Sequence, residues 1–124
     1  MRKNYLRLKI GRRAAMIDLG VKKLLAAEKG EQKIAVEVKS FLGPSAMNDL
    51  ENALGQFILY AKILAEQEPE RILYLAINLP VFKDIFSEEV GQLVLDTTEL
   101  RLIIFNATTK EILKWIPSID MVRS

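Results

Sequence analysis

Lys33-Ile34-Ala35-Val36-Glu37-Val38-Lys39 is the stretch on which the fold turns. Its residues alternate, with Ile34, Val36 and Val38 on one face and Ala35, Glu37 and Lys39 on the other, which is the period of a β-strand. Lys29-Gly30-Glu31-Gln32 precedes it and carries a turn signal between two apolar runs. Residues 22–28 therefore form the other arm of a hairpin. Residues 14–19 read as an earlier strand segment that continues into this arm through a bend or bulge at Gly20.

On the downstream side, Phe41 to Ser45 breaks the strand, and Pro44 or Ser45 opens a long helix to about Gln67. Met47, Leu50, Leu54, Phe57, Ile58, Ala61, Leu64 and Ala65 recur at helical spacing. Pro69 ends the helix, and Arg71 to Ile77 is the continuous apolar run of a buried strand. Pro80 starts a helical turn. Ser87 reads as an N-cap with Glu88 and Glu89 behind it, leading a second helix to about Leu95. Residues 100–105 and 111–116 are strands around a turn at 106–110. A strand–helix–strand unit beside a hairpin predicts an α/β (α+β) domain, with a mixed sheet and helices packed on it. No linker or repeat divides residues 1–124. Residues 1–13 read as a basic arm and 117–124 as a tail.

The chain has no histidine and no cysteine. Disulfides, thiolate zinc sites, histidine-ligated metals and a Ser-His-Asp triad are excluded. Chemistry must run on carboxylates, lysine, hydroxyls or a metal held by oxygen. No apolar run is long enough to span a bilayer, and the basic N-terminus lacks the apolar segment of a secretory signal, so a cytoplasmic protein is expected. Residues 1–23 hold eight basic residues and one acid, net +7, whereas the rest hold ten basic and fifteen acidic residues, net −5. Arg2, Lys3, Arg7, Lys9, Arg12 and Arg13 form an arm suited to phosphates, or equally a solvated terminus.

Glu37 and Lys39, two residues apart on a strand, lie side by side. Simple hairpin pairing sets Glu37 opposite Leu24, so Asp18 joins them only if the chain bends near Gly20. Asp18, Glu37 and the carbonyl of Val38 would offer hard oxygen donors suited to Mg2+ or Mn2+. Lys39 would orient a water or stabilise developing negative charge. A strand with solvated charges on its open face is the competing reading. Gln56 and Tyr60, four apart on the long helix, are expected to share a face distinct from the Leu54/Phe57/Ile58 stripe, where they could contact a nucleic-acid strand. The aromatic residues Tyr5, Tyr74, Phe82, Phe86, Phe105 and Trp115 lie in apolar runs and read as core.

Asp18, Glu37-Val38-Lys39 and the Gln56…Tyr60 pair together resemble the PD-(D/E)xK nuclease superfamily, whose RecB-type members carry a Gln-x-x-x-Tyr helix motif. A longer match is to the XisH family, excision controlling factors of the fdxN element of cyanobacteria. It rests on Ile17-Asp18-Leu19-Gly20, Leu24 to Gly30, Ile34 to Phe41, Ala53-Leu54-Gly55-Gln56, Leu73 to Ile77 and Leu102 to Asn106. The resemblance implies a restriction-endonuclease-like sheet and a role in programmed DNA rearrangement beside other excision factors or a separate recombinase. The helix that family members carry before the first strand is missing from the N-terminal sequence. That would leave a sheet face for a second subunit to cover, hence a homodimer. Two functions follow: a metal-dependent endodeoxyribonuclease, or a non-catalytic DNA-binding or protein-interaction subunit.

Overall fold

The computed structural model describes the backbone of residues 15–18, 23–97 and 99–117, with side chains over 24–96 and 99–117. Among the described residues six strands form one sheet: β1 (Ala15–Asp18), β2 (Lys23–Lys29), β3 (Gln32–Val38), β4 (Arg71–Asn78), β5 (Leu102–Asn106) and β6 (Glu111–Ile116). They lie side by side in sequence order. β1–β2, β2–β3 and β5–β6 are antiparallel, whereas β3–β4 and β4–β5 are parallel. The parallel pairs enclose α1 (Ala46–Gln67), then α2 (Leu79–Phe86) with α3 (Glu89–Thr97). The sheet is thus mixed and carries helices, as the order of elements predicted.

The β2–β3 hairpin closes with Lys29 opposite Gln32. Gly30, first in the two-residue loop, has φ 62°, which suits glycine and matches the twist of the strands. β1 is not a bent continuation of β2. The chain reverses between them, with Asp18 paired to Lys23 and Ala15 to Ala26.

Both faces of the sheet are packed. The larger cluster joins Leu24, Ala35, Leu73, Leu75, Ile77, Leu102 and Ile104 to Leu50, Phe57, Tyr60 and Leu64 of α1 and to Ile85 and Phe86 of α2. Intervening strand residues Ile34, Val36, Tyr74, Ala76, Ile103 and Phe105 form a second cluster, to which no helix residue contributes among the described residues. That alternation explains β4, where every residue from Leu73 to Ile77 is buried. Such burial on both faces is why its sequence reads as an unbroken apolar run. Tyr74, Phe86 and Phe105 are buried as expected, and Trp115 packs edge-on against Tyr74 with ring centroids 5.1 Å apart. Tyr5 lies outside the described residues.

Local signals set most boundaries. Ser45 caps α1, its hydroxyl accepting from Asn48 N at 3.1 Å. Where the sequence suggested a single helical turn at Pro80, α2 runs eight residues. Asn78 caps it, its Oδ1 accepting from Leu79 N at 3.1 Å, with Pro80 in the first turn. Ser87 ends α2 as its C-cap instead of opening α3. The β5–β6 turn is held by Asn106 Oδ1, which accepts from Thr108 N and Thr109 N at 2.8 and 3.1 Å.

Candidate functional site

The carboxyl ends of β3, β4 and β5 lie along one edge of the sheet, where α1 and α2 also begin. In sheets with parallel strands this edge is where ligands are usually taken, because strands end and helix N-termini open there. Glu37 and Lys39 sit at this edge. Lys39 N donates to Ala76 O at 3.0 Å, extending the β3–β4 ladder one residue past Val38. Extended backbone at Lys39 keeps its side chain on the same face as that of Glu37. Lys39 Nζ lies 4.0 Å from Glu37 Oε2 and donates to Gln56 Oε1 of α1 at 2.8 Å.

The competing reading, solvated charges on an open face, does not hold for Glu37. Glu37 is only 3% exposed, on the helix-covered side level with Leu75, whereas Val38, expected in the core, is 44% exposed. A carboxylate taken this far from water needs compensation, and the Lys39 ammonium 4.0 Å away contributes to it. The loop after Lys39 is held in place. Phe41 adopts φ 55°, a conformation that costs a non-glycine residue roughly 1–2 kcal/mol. Its ring packs against the larger cluster, and Gly43 N donates to Asp49 Oδ2 at 2.8 Å.

Gln56 and Tyr60 divide. Gln56 is half-buried and joins the cluster through Lys39. Tyr60 is 9% exposed and belongs to the core stripe, with Leu50, Ala53, Phe57 and Leu64. The expected shared face apart from the core therefore holds for Gln56 alone. The stripe rotates because α1 packs on β4 through positions 50, 53, 57, 60 and 64, leaving Ile58 exposed.

Continuing the β2–β3 register sets Lys23 level with Val38, so the paired Asp18 backbone reaches the same edge of the sheet. Two strand spacings, about 10 Å, separate it from Val38. The Asp18 side chain lies outside the described residues, as do Arg2, Lys3, Arg7, Lys9, Arg12 and Arg13 and the N-terminal segment from which the family's first helix was read as missing. Glu37 and the Val38 carbonyl are donors of the kind a hard divalent cation takes. Among the described residues, no group of three or more histidine, cysteine, aspartate or glutamate side chains converges.

At the ends of β4 and β5, Asn78 was not singled out from sequence and Asn106 was read only as the start of a turn. Their side chains serve the scaffold: Asn78 Oδ1 also accepts from Ala107 N at 3.1 Å, tying the α2 N-terminus to the β5–β6 turn. Asn78-Leu79-Pro80 carried the signal, an asparagine cap followed by an early proline.

The XisH protein family model matches residues 1–113. The chain belongs to the XisH family. Two crystal structures resemble this member: an XisH family protein from Nostoc punctiforme PCC 73102 and an fdxN element excision controlling factor protein from Anabaena variabilis. Each shows 38% identity and a TM-score of 0.71, covering 82% of this chain and 81% of its own. No curated protein matches the chain. Among the described residues, no helix is long and apolar enough to cross a membrane.

Proposed function

We propose that this XisH protein is a cytoplasmic controlling factor for excision of a DNA element, and that it handles DNA at the carboxyl edge of its sheet. The name of the Anabaena relative supports the role in excision. The observation that carries the site is the Lys39 ammonium, 2.8 Å from Gln56 Oε1 and 4.0 Å from the buried Glu37 carboxylate. We read it as the Glu-x-Lys pair of a PD-(D/E)xK nuclease, braced by the glutamine of its helix.

In this reading Lys39 neutralises charge on a phosphodiester oxygen, and Gln56 fixes the direction of its ammonium. Glu37, the Val38 carbonyl and Asp18 would hold Mg2+ or Mn2+, which would polarise the phosphodiester and acidify a water when bound. The basic residues from Arg2 to Arg13 supply contacts to the DNA backbone. Their contribution falls as salt rises, because binding releases condensed counterions.

The test is incubation with linear and branched DNA, with and without divalent metal, scoring retention and cutting separately. Wild-type protein is expected to bind DNA in low salt and to cut only with metal. Glu37→Gln and Lys39→Ala should bind and not cut; full cutting by Glu37→Gln would remove this cluster from the reaction. The controlling-factor name of the Anabaena relative also fits a second reading, a non-catalytic subunit working beside a separate recombinase or other excision factors. It predicts DNA binding that survives Glu37→Gln, requires the arm, and yields no cleavage with either metal.

A further inference from the structure

The outward side of α1 carries apolar surface that its own fold does not use. Ile58 is 48% exposed and Leu59 54% exposed, adjacent on a helix whose core side is already filled by Leu50, Ala53, Phe57, Tyr60 and Leu64. Glu51, Gly55, Ile58 and Lys62 are all exposed and follow one another at spacings of four, three and four, so they form one seam along the helix. At Gly55 a methyl group would meet nothing within 4 Å, so the helix backbone there is open to close approach.

This seam is complementary to itself when reversed. Rotation by 180° about an axis through residues 56–57, perpendicular to the helix, exchanges Glu51 with Lys62, Gly55 with Ile58 and Leu54 with Leu59. Each exchange matches unlike groups: an acid with a base, a gap with a branched side chain, a half-buried leucine with an exposed one. A two-fold contact requires such self-complementarity, because the same patch serves both subunits. Nucleic acid is a poor occupant, since Glu51 and Glu66 are also exposed on this helix. A second copy of the chain meets the charge pattern twice.

We infer that two copies of this protein associate through antiparallel α1 helices, with Ile58 seated over the partner's Gly55 and Glu51 paired with the partner's Lys62. The inference rests on the α1 surface and not on the proposed DNA chemistry.

Sedimentation equilibrium of the full chain tests it, with circular dichroism to verify folding. Wild-type protein should be a dimer. Ile58→Asp should weaken association about tenfold or more, and the substitution lies on exposed surface, so helix content should not change. Glu51→Lys and Lys62→Glu should each weaken the dimer by placing like charges together, and the double variant should recover most of the loss. Three results would overturn the inference: a monomer at the highest soluble concentration, a dimer indifferent to Ile58→Asp, or a charge swap without recovery.

Discussion

Arg71 ties three parts of the chain with one side chain. Its Nη1 donates to Ala27 O and Ile34 O at 3.0 and 2.9 Å, joining β2 and β3, and its Nε donates to Glu68 Oε1 at 2.9 Å behind α1. Charge-assisted bonds of this kind are stronger than neutral ones, and removing the donor leaves two backbone carbonyls to find water. Arg71→Leu is expected to lower stability by about 3 kcal/mol, read as a lower midpoint in urea with an unchanged slope. None of this was legible in the sequence, because the carbonyls lie 37 and 44 positions away and carbonyls have no residue signature. Glu37 and Lys39 were legible as neighbours, since strand alternation alone puts positions two apart on one side. Asp18 was only half legible. A chain reversal between β1 and β2 sets its backbone at the Glu37–Lys39 edge, where the sequence suggested a bend at Gly20.

Among the elements, α1 shows where periodicity stops being decisive. Its apolar residues fall on two overlapping helical rows, 50/53/57/60/64 and 47/54/58/61/65, and both satisfy the spacing. Packing against β4 selects the first row, which draws Tyr60 into the core and turns Ile58 outward. The α2–α3 corner shows the opposite case, a constraint set by space. A methyl group at Gly91 would lie 2.6 Å from Phe86 Cα and would also strike Ile85 O. Both obstacles are backbone, held by α2 itself and by Gln92, whose side chain donates to Phe86 O. Gly91→Ala, ordinarily favourable inside a helix, should instead destabilise by about 1–3 kcal/mol. Thermal unfolding followed by circular dichroism reads this directly; a raised midpoint would mean that α3 can move away from α2.

For the molecule as a whole, the arrangement turns on a sheet packed on both sides. Alternation in β3 divides one packed cluster from another. The unbroken apolar run of β4 carried the better signal, because only a strand covered on both faces buries every residue. Tyr74 lies in the second cluster against Trp115, and burial holds its phenol above the ordinary value of 10.0, with Arg101 pulling the other way. The phenol is therefore protonated more readily in the folded chain than in the unfolded one. Stability from this group is fully present below the unfolded value and is lost as pH rises through the folded one. In Tyr74→Phe that loss cannot occur. The urea midpoint of the wild type should hold a constant difference from that of Tyr74→Phe below pH 10 and fall relative to it above. Lysine deprotonation acts on both proteins alike and cancels in the comparison. A separation that stays constant into the alkaline range would show that the Tyr74 phenol reaches water in the folded chain and that this side of the sheet is open there.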